Sequence, residues 1–315
     1  MSEKVADVGE FGLISAITAR LPQGSGVLVG PGDDAAVLTA ADGRVVVTSD
    51  LLVEGRHFRR DWSSAIDTGH KAAAANLADV AAMGAVPTAL VVGLGAPPSL
   101  ATAWVLGFAD GLREECEPLG TSVVGGDVVR SDVVVVAVTA LGDLQGRPPV
   151  TRAGARPGNV VAVCGRLGWA EAGFRVLSRG FRSPRVLVEA HRRPVVHYPA
   201  GPEAATLGAT AMCDVSDGLI ADLGHVARAS AVALDLDRAV FEVPDPIRDA
   251  AAALGANPLD WILTGGDDHA FAATFNADVT LPDSWQVVGS VSAGEGVTVD
   301  GVPYSGEPGH AHFSG

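Results

Sequence analysis

The sequence predicts a mixed α/β (α+β) fold in two domains, and three observations support that prediction. The chain has 315 residues, which is enough for two domains of about 100–200 residues each. Hydrophobic residues make up 48% and aromatic residues only 5%, so the core must consist mainly of Ala, Val and Leu. Segments with helical apolar spacing alternate with short apolar runs typical of strands.

Helices and strands alternate along the first half of the chain. Helical spacing predicts helices over residues 11–21, 67–83 and 99–116. The second of these is rich in Ala and Leu and stops at Gly84, as helices often do. Short apolar runs predict strands at residues 35–38, 45–48, 88–93, 122–124 and 133–141.

The second half repeats the mixed pattern after a break. Residues 142–158 contain Gly, Pro and Arg with little apolar periodicity, and they predict a domain boundary that gives domains at 1–145 and 146–315. Helical spacing returns at 169–179 and 218–230. Further strands are predicted at residues 159–164, 232–236, 270–275 and 286–291.

Charge and cysteine content limit the classes of partner and compartment. The formal net charge is −15, and no basic stripe is visible, so nucleic acid is not expected as a partner. The longest apolar run, residues 133–141, is too short to cross a bilayer as a helix, so no membrane association is expected. Cys116, Cys164 and Cys213 are far apart in sequence, which indicates neither a zinc site nor a disulfide framework and favours a cytoplasmic location.

Acidic residues recur where an apolar strand is predicted to run into Gly, Ser or Thr. Ligand groups in α/β folds collect at strand ends, Gly lets the backbone approach phosphate, and carboxylate and hydroxyl oxygens suit Mg²⁺. Together these junctions predict a phosphate site with several metal ions, although each Asp alone could be a turn residue or a helix cap. The junctions are Gly32-Asp33-Asp34, Thr48-Ser49-Asp50, Gly125-Gly126-Asp127, Asp214-Val215-Ser216-Asp217 and Gly265-Gly266-Asp267-Asp268.

Two further side chains are candidates for the same site. Asp79 interrupts a nearly apolar predicted helix, where a buried carboxylate needs a metal or a charged partner; the alternatives are a solvated face or a pair with Lys71. His57 lies seven residues after Asp50 and could reach the same site, or could be an ordinary polar residue. The Walker motif is absent, so Arg152 and the strand-end glycines are the available contacts for a nucleotide.

In order and over most of the chain, these motifs resemble those of the thiamine-monophosphate kinase family, whose superfamily includes aminoimidazole ribonucleotide synthetase and selenophosphate synthetase. The longest matching phrase runs from Asn76 to Ala85. The other matching motifs are Gly9-Glu10-Phe11, Gly32 to Ala36, Thr48-Ser49-Asp50, Glu54 to Phe58, Gly125-Gly126-Asp127, Thr151-Arg152, Asp214 to Leu219, Gly265 to Asp268 and His312-Phe313.

The resemblance implies ATP-dependent phosphorylation of thiamine monophosphate to thiamine diphosphate, with several Mg²⁺ ions. It implies a homodimer whose N-terminal domains pair and bind ATP and Mg²⁺, and whose C-terminal domains complete the active-site cleft. The residues that would hold Mg²⁺ are Asp34, Thr48, Ser49, Asp50, Asp79, Asp127, Asp214 and Asp217, of which Asp50, Asp127 and Asp217 would be catalytic. Gly126, Arg152 and Ser216 would contact ATP, whereas His57, Asp267 and His310 would face the thiamine substrate.

Three positions depart from the family pattern and leave room for other functions. Asp267 stands where the family usually has Glu, His310 stands where an aromatic residue is common, and residues 99–116 contain no Tyr. One alternative is another ATP-dependent enzyme of the same superfamily, of the purine-biosynthesis synthetase type. The other is a catalytically silent dimer that binds nucleotide.

Overall fold

The structure is a computed structural model that describes residues 4–8, 10–31 and 36–310. The chain divides into two compact units. The first comprises residues 1–80 and 86–146, and the second comprises residues 81–85 and 147–315. Within the described residues, no helix combines the length and the hydropathy that crossing a bilayer requires.

The first unit is built around a four-stranded sheet. Its strands are ordered β3-β6-β4-β5; β6 is antiparallel to both β3 and β4, and β4 is parallel to β5. A separate antiparallel pair, β1-β2, lies earlier in the chain. The elements are α1 (Val5–Val8), α2 (Glu10–Thr18), β1 (Val27–Val29), β2 (Val37–Leu38), β3 (Val46–Val53), α3 (Ala65–Ala82), β4 (Val86–Ala96), α4 (Thr102–Cys116), β5 (Ser122–Arg130) and β6 (Val135–Asp143).

One face of this sheet is covered and the other is more open. Strand β6 alternates buried and half-buried residues, with Val136, Val138 and Ala140 in the core. The opposite face exposes large apolar side chains, among them Val47 (64% exposed) and Leu51 (55% exposed). Because neighbouring residues of a strand point to opposite faces, this alternation is that of a sheet packed on one side.

Helix α3 begins with a reciprocal cap. The Ser64 hydroxyl accepts the Asp67 N–H at 3.2 Å, and the Asp67 carboxylate accepts the Ser64 N–H at 2.8 Å. This arrangement satisfies two backbone donors that a helix start otherwise leaves unpaired. The helix interior is mostly Ala and Leu and is almost entirely buried. Among its polar residues, Asn76 and Asp79 bond to β3 and are described below.

The second unit contains a seven-stranded sheet. The strand order is β13-β12-β9-β11-β7-β10-β8, and every neighbouring pair is antiparallel except β12 and β9. The elements are β7 (Asn159–Cys164), α5 (Trp169–Ser178), α6 (Arg185–Arg192), α7 (Ala200–Leu207), β8 (Ala211–Val215), α8 (Leu219–Ser230), β9 (Ala233–Leu236), α9 (Asp245–Leu254), α10 (Pro258–Thr264), β10 (Ala270–Asn276), β11 (Trp285–Ser292), β12 (Gly296–Val299) and β13 (Val302–Pro303).

Helix α8 packs on this sheet and forms much of its core. Leu219, Leu223 and Val226 recur at helical spacing and are buried against strand residues such as Val215 and Leu234. The same periodicity in the sequence predicts the helix within one residue of its observed start. Strand β8, at one edge of the sheet, and its neighbour β10 are buried along nearly their whole length, as their apolar sequences predict.

The prediction that the acidic junctions lie at strand ends is wrong for three of them. Strand β3 continues to Val53 and β5 continues to Arg130, so Thr48-Ser49-Asp50 and Gly125-Gly126-Asp127 lie inside strands. Residues 265–268 follow helix α10 rather than a strand. The four-stranded and seven-stranded sheets are largely antiparallel, so the C-terminal ends of most neighbouring strands lie at opposite edges and do not bring their ligand groups to one edge. Asp214 does lie near the end of β8, whereas Asp34 lies outside the described residues.

The shorter and more polar elements were missed. Helices α1, α6, α7, α9 and α10 and strands β1, β12 and β13 have no counterpart among the predicted segments. Each has ten residues or fewer, so its apolar periodicity is hard to distinguish from a loop. The long elements α3, α4 and α8 and the apolar strands β7, β10 and β11 all lie close to their predicted positions.

Candidate active site

Strand β3 and helix α3 bring three of the predicted metal ligands together in the first unit. The Thr48 hydroxyl donates to the Asp79 carboxylate at 2.8 Å, and the backbone N–H of Asp50 donates to the Asn76 side-chain oxygen at 3.0 Å. Asn76 in turn donates to the Ala72 carbonyl at 3.0 Å, which holds its amide in one orientation. Thr48, Asp50 and Asp79 therefore form one oxygen-rich group, in which Asp50 is exposed and Asp79 half-buried.

The structure does not bring Ser49 and Asp127 to this group. The Ser49 side chain points to the opposite face of β3 from Thr48, and its hydroxyl donates to the Val138 carbonyl at 3.0 Å. Asp127 of β5 pairs with Gly93 of β4, which pairs with Ala137 of β6, which pairs with Leu51 of β3. The backbones of Asp127 and Leu51 are therefore three strand spacings, or about 14 Å, apart. Because Mg²⁺ binds oxygens at about 2.1 Å, one ion cannot connect Asp127 with the Asp50 group.

Gly126 has a structural role in the sheet of the first unit. It faces Val92 of β4, and a Cβ atom built on Gly126 would lie 2.0 Å from the Val92 carbonyl oxygen. A real side chain needs at least about 3 Å there, so any residue other than Gly would push the two strands apart. The close approach of β4 and β5 thus requires Gly126, independently of any nucleotide.

His57 is held by the turn that follows β3. Its Nδ1 accepts the Val53 N–H at 3.0 Å, so a neutral His57 ring carries its proton on Nε2. The turn itself closes through a hydrogen bond from Gly55 N–H to the Phe58 carbonyl, with Phe58 buried. The backbone therefore fixes both the tautomer and the direction of this imidazole.

In the second unit, backbone hydrogen bonds join the loop after β8 to residues 265–269 and to the C-terminal segment. Asp267 N–H donates to the Ser216 carbonyl at 2.8 Å, and His310 N–H donates to the Asp217 carbonyl at 2.8 Å. The structure thus brings together Ser216, Asp217, Asp267 and His310, which are separated by as many as 94 residues in the sequence. Asp267 adopts a positive φ of 68°, a conformation that Asp tolerates better than most residues.

Asp214 and His269 form a buried pair beside this loop. Their closest side-chain atoms, Asp214 Oδ2 and His269 Nδ1, are 3.0 Å apart. His269 is anchored by its N–H, which donates to the Val215 carbonyl at 3.0 Å. His269 is not among the predicted site residues, because a single His next to the acidic motif carries no spacing signal.

Asp268 bonds to the N-terminus of helix α5. Its Oδ1 accepts the Ala170 N–H at 2.8 Å and its Oδ2 has no hydrogen-bond partner, although the side chain is buried. Burial raises the pKa of Asp268 to about 7, with the Ala170 and Gly168 N–H groups acting in the opposite direction. Asp268 thus stabilises the start of a helix that lies 98 residues earlier in the chain.

Arg152 lies on the side of the second unit formed by β8 and α8. The carbonyl of its neighbour Thr151 accepts the Met212 N–H at 3.1 Å, and its own carbonyl accepts the Ser230 hydroxyl at 3.0 Å. Burial lowers the pKa of His225 in α8, and the Arg152 charge lowers it further. The side chain of Arg152 is exposed and positively charged, so it is available to an anion.

The donor chemistry of the predicted ligands fits Mg²⁺, but no ready metal cluster is present. The candidates offer only carboxylate and hydroxyl oxygens, which Mg²⁺ prefers. Across residues 4–8, 10–31 and 36–310, however, no three His, Cys, Asp or Glu side chains lie close enough to hold one ion. The predicted ligands are divided between the first unit, with Thr48, Asp50, Asp79 and Asp127, and the second unit, with Asp214 and Asp217.

Comparison with known proteins identifies the class of protein to which this chain belongs. Residues 32–144 match the family model described as AIR synthase related protein, N-terminal domain. The chain is 46% identical to a thiamine-monophosphate kinase of Mycobacterium tuberculosis over 314 residues, covering 99% of this chain and 94% of that protein. It is 40% identical to a thiamine-monophosphate kinase of Corynebacterium glutamicum, covering 91% and 87% of the two chains.

Solved structures agree with the sequence comparison. A crystal structure of thiamine-monophosphate kinase from Stenotrophomonas maltophilia superposes with a TM-score of 0.82 at 32% identity, covering 96% of this chain and 98% of the other. A structure of AaThiL complexed with AMPPCP and TMP gives a TM-score of 0.82 at 31% identity, covering 99% and 100%. The fold is thus that of the AIR synthase related proteins. Within that class, the chain belongs to the thiamine-monophosphate kinase family.

Proposed function

We propose that this protein transfers the γ-phosphoryl group of ATP to thiamine monophosphate and forms thiamine diphosphate. The observation that supports this most strongly is the 46% identity to a thiamine-monophosphate kinase over nearly the full length of both chains. A structural relative is described with AMPPCP, an ATP analogue, and with TMP. The two ligand classes expected for this reaction therefore occur together on a chain of the same fold.

The chemistry needs positioning and charge neutralisation more than a strong base. The attacking atom is an oxygen of the substrate phosphate, which is already ionised near neutral pH. Direct in-line transfer then requires the two phosphorylated molecules to be aligned and their mutual repulsion to be screened. Several Mg²⁺ ions would supply that screening. This explains why the chain needs acidic side chains, and only two lysines, for a reaction between anions.

We assign the ligand contacts to the two units as follows. Thr48, Asp50, Asp79 and Asp127 of the first unit and Asp214 and Asp217 of the second would hold Mg²⁺, together with Ser49 and with Asp34. The separation of Asp127 from the Asp50 group supports more than one ion. Gly126, Arg152 and the Ser216 side chain would contact ATP. His57, Asp267 and His310 would face the thiamine substrate.

The proposal includes a homodimer that forms through the first unit. The open face of its sheet exposes Val47, Leu51, Val91 and Val129, all on the face opposite to the buried residues of β6. Large apolar side chains exposed on one face of a sheet are typical of an association surface. Asp127 is aligned with Leu51 across the sheet, so such a contact would border one of the proposed metal ligands. The free, buried cysteines fit a reducing, cytoplasmic location.

Two parallel reactions, each with a different substrate, test the proposal. Purified protein is incubated with ATP and Mg²⁺ and, in parallel, with thiamine monophosphate or formylglycinamidine ribotide, and thiamine diphosphate and ADP are measured. We expect thiamine diphosphate and ADP in equal amounts in the first reaction and no ADP above background in the second. Turnover with the ribotide alone would assign the chain to a purine-type synthetase. ATP binding without turnover in either reaction would instead indicate a silent nucleotide-binding dimer.

A further inference from the structure

The loop between β8 and α8 is closed by an unusual cap. Oδ2 of Asp222, in the first turn of α8, accepts three successive backbone N–H groups: those of Ser216 at 3.1 Å, Asp217 at 3.0 Å and Gly218 at 3.1 Å. Asp222 is buried, with 3% of its surface exposed.

These hydrogen bonds change what the loop can offer to a phosphate. Backbone N–H groups ahead of a helix usually form an anion site, because they are unpaired and the helix dipole is positive there. Here the Asp222 carboxylate already occupies the position that a phosphate would take. The N–H groups of Ser216 and Asp217 are therefore not available to a nucleotide, whereas their side chains are not used by this cap.

The opposite side of the loop is held as well. The Ser216 carbonyl accepts the Asp267 N–H, and the Asp217 carbonyl accepts the His310 N–H, both at 2.8 Å. Gly218 has a φ of 124°, and a Cβ there would lie 2.5 Å from the Thr264 carbonyl oxygen, so this conformation requires Gly. With its N–H groups bound on one side and its carbonyls on the other, the loop has one backbone conformation.

Holding the loop in this way has an electrostatic cost. Burial deprives the Asp222 carboxylate of water, and the nearby Asp214 carboxylate carries a like charge. An apolar residue at this position would avoid the cost but would leave three buried N–H groups without an acceptor. The three hydrogen bonds from residues 216–218 offset this free-energy cost, and they also fix the shape of the loop.

We propose that Asp222 is a positioning residue for the phosphoryl-transfer site. Its carboxylate sets the backbone of residues 216–218 and thereby the directions of the Ser216 and Asp217 side chains toward Mg²⁺ and ATP. The identity of the ligands rests on the function proposed above, whereas the hold on the loop does not. Asp222 itself contacts neither substrate nor metal ion in this assignment.

Two measurements on Asp222→Asn test separately whether Asp222 holds the loop and whether the loop shape serves nucleotide binding. The amide keeps the shape of the carboxylate but loses the charge-assisted part of the hydrogen bonds, which corresponds to about a tenfold change. We expect hydrogen exchange in the peptide that covers residues 214–219 of the ligand-free protein to accelerate about tenfold. We also expect the dissociation constant for AMPPCP in the presence of Mg²⁺ to rise about tenfold. Asp222→Ala is predicted to do more and to lower the unfolding temperature.

Asn159→Ala is the matched control in the same unit. Its side-chain oxygen accepts the Arg156 N–H at 3.0 Å and the Thr210 hydroxyl at 2.7 Å, so its loss also breaks a buried polar network. Asn159 pairs with Asn276, at the opposite end of β10 from Ala270, which pairs with Val215. These ends are about 20 Å apart along the strand. The control should lose stability while binding AMPPCP as tightly as the unmodified protein does.

Each outcome decides the proposal. Unchanged exchange in residues 214–219 of Asp222→Asn would show that the carboxylate does not hold the loop. Faster exchange with unchanged AMPPCP binding, or an equal loss of binding in Asn159→Ala, would show that the loop shape does not serve the site. If the unmodified protein bound no AMPPCP, the proposed function would fail, and the exchange result alone would still judge the role of Asp222.

Discussion

Replacing Gly126 by Ala tests whether this residue is required by the sheet. The Cβ atom of Ala would lie 2.0 Å from the carbonyl oxygen of Val92 and 2.9 Å from its carbon, both in the backbone of the neighbouring strand. A backbone carbonyl cannot rotate away as a flexible side chain can. The two strands must therefore separate by about 1 Å at this point to restore an ordinary contact.

The size of the effect follows from that displacement. Moving the strands by about 1 Å disrupts about two ladder hydrogen bonds, each with a net value of about 1 kcal/mol, and overpacking adds about 1–3 kcal/mol. We expect Gly126→Ala to lower the free energy of unfolding by about 3–5 kcal/mol, which lowers the midpoint temperature by about 6–20 °C. Gly125→Ala is the control, because a Cβ at Gly125 meets nothing within 4 Å.

The assay is thermal unfolding followed by circular dichroism in the absence of nucleotide. Gly125→Ala should unfold within about 2 °C of the unmodified protein, because it adds a methyl group in open space. If Gly126→Ala unfolded at the same temperature as Gly125→Ala, the steric argument would be refuted. Loss of ATP binding by a fully stable Gly126→Ala would show instead that Gly126 acts at the nucleotide alone.

Three further predictions concern catalysis, assembly and pH. Asp127→Asn should reduce thiamine diphosphate formation at least about tenfold without changing the unfolding temperature, since the carboxylate is exposed; a full rate at low Mg²⁺ would contradict its role as a metal ligand. Leu51→Glu should shift the protein from dimer to monomer in sedimentation, because it places a charge on the open apolar face, whereas Val302→Glu on the exposed hairpin of the second unit should not. The pKa of Asp268 is raised from 3.8 to about 7, so between those values the folded state holds a proton that the unfolded state has released, and stability falls as pH rises. Asp268→Asn should reduce this decline by about 1.4 kcal/mol per pH unit in urea titrations, and an identical slope in the variant would contradict the assignment.

The spacing of apolar residues and the local start and stop signals predict the long helices of the fold. Helix α3 carries its own start in Ser64 and Asp67 and its own stop at Gly84, so its position depends on neighbours in the sequence. Helix α8 shows the same independence, because its buried residues recur at a spacing that only a helix aligns. The short helices α9 and α10 were missed, since with ten residues or fewer they contain too few apolar repeats.

The candidate site was predicted as a set of residues but not as an arrangement. The motifs identified Asp50, Asp214 and Asp267, whereas the roles of Asp222 and Asp268 as caps depend on which backbone N–H groups approach them. Asp222 could have been suspected from its place four residues into a helix that begins after Gly218. For Asp268, the partner N–H belongs to Ala170, 98 residues away, and no local pattern indicates it.

The amino-acid sequence by itself determined the class of fold, the long helices and the acidic and glycine motifs, because these depend on side-chain spacing along a few turns or one strand. Only the tertiary structure decided that Gly126 lies against the Val92 carbonyl, that Thr48 bonds to Asp79 and that residues 216, 217, 267 and 310 share one loop cluster. The physical reason is that a contact between residues far apart in the chain depends on how whole strands and helices pack, and spacing along the sequence carries no information about that distance.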